Sequence, residues 1–267
     1  MFVVLEARDC GGFMGRIFKP GAHTETREAF GARYGAIVLH PPVKARDWNR
    51  ILALAGRYSD RLLLPSWLTP PPEVTPPSFP KYDRLVILKT AMEIIKLSRM
   101  PMYRRIAGLV DEKGEYADFL YPLLHHYTSV KVLTDNTGLY EQESAKMMYE
   151  LGAPVLLAKD YSAFSDCALI VAPHGIRTAE SLKCPVISKN PPASAQFSDF
   201  ITDLRVAPSA DAREAFPEGI DYHAFLAALY EYCGVEAVCL AASRMIFKYR
   251  ECDIGEVVSA VVKVTNT

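Results

Sequence analysis

Between Arg105 and Gly175 the chain alternates short apolar runs with longer amphipathic stretches. Strands are expected at Ile106–Asp111, Val130–Thr134, Pro154–Ala158 and Ala168–Ala172, and helices at Tyr116–Tyr127 and Tyr140–Leu151. Apolar runs of about five residues need burial on both faces, which a parallel sheet between layers of helices supplies. Pro185–Ser188 and Phe200–Val206 continue the rhythm as fifth and sixth strands. Strands and helices in this alternation predict a Rossmann-like doubly wound α/β fold with strand order 3-2-1-4-5-6. Pro122 falls inside the first helix, where its ring and missing N–H cost about 3 kcal/mol, so a kink or broken start is expected there.

Ahead of this sheet, Phe2–Leu5, Ala36–Leu39 and Arg61–Leu64 read as strands. Ala45–Tyr58 reads as a helix with Trp48, Ile51, Leu52 and Ala55 on one face, which completes a small α/β unit. No strand-to-helix context surrounds the glycines of Cys10–Gly15, so they read as turns. Seven prolines between Pro65 and Pro80 force an extended connection, and Trp67, Leu68 and Phe79 suggest that it packs on a surface. A helix follows over Leu85–Met100 and stops at Pro101. Beyond the sixth strand, Asp221 caps a helix to Cys233 and Gly234 interrupts it. The helical pattern resumes over Val235–Tyr249, and a last helix uses Ile254, Val257, Val258, Val261 and Val262. The expected divisions are an N-terminal α/β domain over 1–102, a Rossmann-like domain over 103–217, and C-terminal helices over 218–267 that pack back on the first domain.

Composition excludes partners rather than naming one. A chain of 267 residues, half of them apolar and with a formal charge of −1, offers no basic face, so neither nucleic acid nor membrane is an expected partner. The six cysteines include no Cys-x-x-Cys pair and most lie in apolar surroundings, which reads as buried reduced thiols. Met1–Cys10 has no basic start followed by an apolar run, and no segment reaches the length of a membrane span. A cytoplasmic protein is expected.

In an open parallel sheet ligands collect beyond the carboxyl ends of the strands where strand order reverses, here between the first and fourth strands. Asp111, Lys113 and Gly114 should line that crevice from one side and Ala172, Pro173, His174 and Gly175 from the other. Asp135, Asn136, Thr137, Lys159, Asp160 and Lys189 should stand nearby. His174 follows the fourth strand and can move a proton near neutral pH, although a loop histidine bonded to backbone would look the same in sequence. Lys189 is placed to meet an anionic substrate. These two are the candidate catalytic residues, and Asp111, Lys113, Gly114, Asp135, Asn136, Thr137, Ala172, Pro173 and Gly175 the candidate cofactor contacts. Arg104 and Arg105 enter the first strand at its opposite end and read as structural. His125 and His126 sit at a helix end, where positive charge is favourable, and neither belongs to the spaced ligand set of a zinc site.

The turn after the first strand departs from the glycine-rich phosphate pattern. In Gly108–Ala117 only Gly114 and Ala117 could serve, and Asp111, Glu112, Glu115 and Asp118 outnumber Lys113 where two phosphates would sit. Asp135 ends the second strand, where an acidic side chain accepts the ribose hydroxyls of NAD and repels the extra phosphate of NADP. No arginine stands beside it in sequence. NAD is therefore the expected cofactor if a dinucleotide binds, held weakly because of the acidic turn.

The order of elements and the segment Ser165–Ile176 resemble the shikimate dehydrogenase family. Asp166, Pro173 and Gly175 are in step with that family's Asp-x-x-x-Asn-Ala-Thr-Pro-x-Gly segment, with Ile170 and Ala172 in place of its asparagine and threonine. Asn136-Thr137 is similar to its Asn-Arg-Thr cofactor segment without the arginine. The resemblance implies an NAD(P)-linked oxidoreductase with a small-molecule ligand in an interdomain cleft. It also implies a proton-moving lysine in the N-terminal domain, but the corresponding strand end reads Leu63-Leu64-Pro65-Ser66-Trp67. Hydride transfer would lack its general base, so shikimate oxidation itself is not expected. Two functions follow: an NAD(P)-linked oxidoreductase with a changed substrate, or a non-catalytic module, derived from such an enzyme, that binds a small molecule or a protein.

Overall fold

The computed structural model describes residues 1–7, 22–39, 43–44, 47–177, 182–189, 200–207, 216–235, 241–248 and 250–264, so the glycine run 10–15 lies outside the described residues. The chain forms two compact units, Met1–Asp83 with Pro208–Leu240 and Arg84–Ala207 with Ala241–Thr267. In the first, β1 (Val3–Ala7) pairs parallel with two later strands, while β2 (His23–Ala29) pairs antiparallel with β3 (Ala32–Leu39) at the edge. β1 lies between β3 and β4 (Leu62–Leu63). Strand β2 is not legible from hydrophobic periodicity, because His-Thr-Glu-Thr-Arg-Glu-Ala has no apolar face: Thr24, Thr26 and Glu28 are exposed at the sheet edge, and on the other side Arg27 is half-buried and paired with Glu6 and Glu25. Its hairpin closes through Phe30 and Gly31 at φ 52° and 73°, the positive values that a two-residue turn between twisted strands requires.

Helix Asp47–Ala55 buries Trp48, Ile51 and Ala55, and residues 65–79 hold neither helix nor strand, as their prolines dictate. Helix Tyr222–Cys233 starts at Asp221, whose Oδ2 accepts the Ala224 N–H at 3.2 Å, and stops at Gly234 with φ 66°. It brings Phe225 onto Phe2 and Tyr34, with ring centroids 5.6 and 5.2 Å away, and these three rings lie in one buried cluster.

The second unit is built on an eight-stranded sheet. Six parallel strands run through it: β5 (Ile106–Val110), β6 (Ser129–Leu133), β7 (Val155–Leu157), β8 (Leu169–Val171), β9 (Val186–Ile187) and β10 (Phe200–Ala207). They lie in the order β7-β6-β5-β8-β9-β10, which is the 3-2-1-4-5-6 order of a Rossmann-like sheet. Leu109, Leu169 and Val171 pack on one side of the sheet, and Val110 and Ile170 join Phe164 on the other, which is why β5 and β8 are apolar throughout. The expected helix Tyr116–Tyr127 is a 3₁₀ turn, Ala117–Phe119, followed by the short helix Leu120–Leu124. Pro122 stands in its first turn, where no N–H is needed. Helix Thr137–Leu151 buries Tyr140 and Met147 and leaves Met148 half exposed.

Two antiparallel strands, β11 (Ala241–Phe247) and β12 (Arg250–Asp253), extend the sheet beyond β10. They correct the expected helix over Val235–Tyr249. Arg244 and Ile246 are exposed and Met245 and Phe247 buried, a period of two that an α-helix cannot produce. The expected divisions shift as well. Helix Pro80–Ser98 begins in the first unit and runs on in the second, and the 218–267 block is split, with Tyr222–Cys233 in the first unit and β11, β12 and helix Ile254–Val264 in the second. Among the described residues no helix is long and apolar enough to cross a membrane.

Gly108 is where β5 comes closest to its neighbours. A Cβ there would lie 2.9 Å from Ile170 Cγ1 and 3.0 Å from the Phe164 ring, both side chains fully buried. Gly108→Ala is expected to lose about 1–3 kcal/mol by overpacking, more than the roughly 0.4–1 kcal/mol that restricting the unfolded chain returns. A urea-unfolding midpoint at or above that of the wild type would show that the sheet has room to shift.

Candidate functional site

The chain turns at once after β5. Asp111, only 1% exposed, folds back on that turn: Oδ1 accepts the N–H groups of Gly114 at 3.1 Å and Glu115 at 3.0 Å. Oδ2 accepts the Tyr116 N–H at 2.7 Å and the Tyr140 hydroxyl at 2.6 Å. Four donors satisfy a carboxylate that water does not reach. Gly114 makes the turn possible, with φ 79° and a Cβ position only 2.9 Å from Asn136 Nδ2. Burial first, then the hydrogen bond and charge of Asp111, push the Tyr140 hydroxyl above its ordinary range, so it stays a donor. Successive N–H groups converging on one anion are what a phosphate-binding turn offers its ligand. Here the anion belongs to the chain itself.

Beside the turn, at the carboxyl ends of β5 and β8, lies a cleft of about 170 Å³ lined by Val110, Glu112, Lys113, His174, Gly175, Ile176 and Arg177. Gly175 adopts φ 100° and donates to the Ala172 carbonyl at 2.9 Å, so the loop after β8 bends sharply. Two side-chain contacts then join the walls. Arg177 grips Glu112 with Nε at 2.7 Å and Nη2 at 2.8 Å, and lies 3.5 Å from Asp135. His174 Nε2 is 2.7 Å from Glu115 Oε2, and the Tyr116 ring stands edge-on to the imidazole at 5.1 Å. Arg84 lies over the same Tyr116 ring, 4.3 Å from its centroid, and donates to the Glu115 carbonyl and to Asp118. Exposed pairs of this kind add at most about 1 kcal/mol each, so they orient side chains more than they hold the fold.

The residues expected around the crevice divide accordingly. Lys113, His174 and Gly175 line the cleft. Asp111 and Gly114 are taken up by the turn. Asp135, Asn136 and Thr137 are exposed beyond β6, with Asn136 at the helix N-cap position but making no side-chain cap. Ala172 and Pro173 are buried, and Lys189 is exposed beyond β9 and is not among the cleft-lining residues. Away from the cleft, Asp166 pairs with Lys131 at 2.6 Å, Asp160 accepts the Ser162 N–H at 2.9 Å, and Arg105 donates to the Met100 carbonyl at 2.7 Å. Of the described cysteines, Cys167, Cys184 and Cys252 are buried.

Arg177 is the residue that sequence reading missed. No arginine adjoins Asp135 along the chain, but Arg177, 42 residues away, stands beside it in space. The charge argument for NAD over NADP therefore falls. The available signal was the acidic turn, which needed a basic loop to face it. A dinucleotide does not fit the turn as it stands, because its pyrophosphate would need the amides that Asp111 holds. Among the described residues no group of three His, Cys, Asp or Glu side chains could hold a metal ion.

No protein-family model matches the chain, and none of the curated proteins matches it in sequence. Solved structures resemble it at low similarity. A Δ1-pyrroline-2-carboxylate reductase of Thermococcus litoralis, in complex with NADH and L-proline, matches at 10% identity and a TM-score of 0.30 over 39% of this chain, which spans only 36% of that one. A ligand-free 5-ketofructose reductase of Gluconobacter sp. strain CHM43 matches at 8% identity and a TM-score of 0.34 over 100% of this chain and 98% of its own. Quinate dehydrogenase of Corynebacterium glutamicum, in complex with NAD, matches at 8% identity and a TM-score of 0.33 over 98% and 99%. Likeness at this level carries no argument about activity.

Asp111→Ala is expected to cost about 3 kcal/mol or more, since each buried donor that loses its acceptor costs about 1–3 kcal/mol; Tyr140→Phe, which removes one donor, should cost about 1–2 kcal/mol. Equal losses for the two variants in denaturant unfolding would deny Asp111 its place at the centre of the turn.

Burial also raises the hydroxyl pKa values of Tyr82, Tyr127 and Tyr140. The folded chain keeps protons that unfolded tyrosines release above about pH 10, so this stabilisation is whole below that pH and is lost as pH climbs beyond it. Stability that stays level from there upward would contradict the assignment.

Proposed function

We propose that the chain is a Rossmann-fold binding module without dinucleotide-dependent catalysis, and that its ligand site is the cleft between the 111–116 turn and the 172–177 loop. The observation that carries this reading is the Asp111 carboxylate bound to the amides of Gly114, Glu115 and Tyr116. A pyrophosphate at those amides would strip a buried carboxylate of its donors, at a cost of about 3–5 kcal/mol by analogy with breaking a buried pair. About 4 kcal/mol separates micromolar from millimolar binding, so a dinucleotide is brought into the millimolar range. The Leu63–Trp67 strand end, which lacks a lysine, supports the same reading. So does the size of the cleft, about 170 Å³, against about 300–1,000 Å³ for pockets that enclose drug-sized ligands.

A second reading, an NAD(P)-linked oxidoreductase related to the shikimate dehydrogenases, is favoured by His174, an imidazole held by Glu115 at the end of β8 where a proton could be moved. It requires the Asp111 turn to open. Separate fluorescence titrations with NADH and NADPH distinguish the two. No saturable binding below millimolar concentration is expected, and saturation by either at tens of micromolar would overturn the module in favour of the oxidoreductase.

A further inference from the structure

If the cleft is the ligand site just proposed, its walls specify a class of ligand. The floor is apolar, with Val110 and Ile176 only 2% and 7% exposed. The rim is charged. Lys113 is exposed there, and among the described residues no carboxylate pairs with it. Arg177, with a side chain 69% exposed, already holds a carboxylate across its fork in the form of Glu112, at 2.7 and 2.8 Å. An exposed pair of this kind is worth at most about 1 kcal/mol, so an incoming carboxylate can take the place of Glu112 at little cost. It would gain Lys113 as a second cation and the apolar floor for its carbon chain. The turn amides, which would add donors for a phosphate, are held by Asp111, which leaves the planar guanidinium as the main donor and a carboxylate as an anion that it alone can take bidentately. The cleft, about 170 Å³, suits a small ligand.

We propose that this cleft binds a short-chain carboxylic acid, with the carboxylate on Arg177 and Lys113 in exchange for Glu112 and the chain on Val110 and Ile176. The exchange fixes the sign of three substitutions. Glu112→Gln removes the internal competitor and should tighten binding, whereas Arg177→Gln and Lys113→Gln should weaken it.

The experiment is a chemical-shift titration of the ¹⁵N-labelled full chain with sodium butyrate, at ionic strength held constant with sodium chloride. Saturable shifts are expected at the Gly175 and Ile176 amides, with a Kd lower by about threefold in Glu112→Gln and higher by about fivefold in Arg177→Gln, as loss of an exposed pair worth about 1 kcal/mol implies. No saturation in either the wild type or Glu112→Gln, or unchanged affinity in Arg177→Gln, would overturn the site. Equal shifts with butyramide or inorganic phosphate would overturn the carboxylate assignment. NADH added to the same samples separates the two ideas: micromolar NADH binding defeats the binding-module reading, while failure of both NADH and butyrate to bind defeats only the carboxylic-acid inference.

Discussion

A carboxylate out of reach of water has to find its donors within the chain, and Asp111 finds four. Three are successive backbone N–H groups of the turn it begins, and the fourth is the Tyr140 hydroxyl on helix Thr137–Leu151. One side chain thus ties the end of β5, the turn and a covering helix together. Because an unsatisfied buried charge is costly, none of the three can move without the others. Gly114 is the backbone condition for this arrangement, since a side chain at φ 79° would be strained and would meet Asn136.

The turn so fixed presents Glu112 and Glu115 to the loop after β8, and that loop answers with Arg177 and His174. The result is a small cleft with charged walls and an apolar floor at the place where a doubly wound sheet usually meets its ligand. The sheet has the strand order of a Rossmann-like fold, while the amides of its first turn are taken up by Asp111. Fold alone therefore says little about activity, and the side chains of the turn say more.

Much of the second unit was legible because its central strands, β5 and β8, are buried on both faces and read as continuous apolar runs, and the shorter apolar runs of β6, β7, β9 and β10 recur in step with them. Asp221 and Gly234 marked the ends of a helix for reasons local to the backbone, and Pro122 marked the broken start of another. Elements that failed to appear were those with weak or ambiguous periodicity. β2 carries polar or charged residues on both of its sides, and β11 begins in alanines that suit a helix as well as a strand until Met245 and Phe247 declare the alternation.

What the sequence by itself determined is the set of conditions that each residue imposes on its own neighbourhood: period, cap, turn, and an acidic stretch after the first strand of the sheet. Which partner satisfies each charge was decided only by tertiary structure. Asp111 could be counted as acidic, but not as buried or as the acceptor of its own turn. Arg177 lies 65 residues from Glu112 and 42 from Asp135, and nothing in either segment requires the other. Pairing across such separations depends on where the sheet sets two loops side by side, and a Coulombic attraction acts on distance in space, to which distance along the chain is no guide.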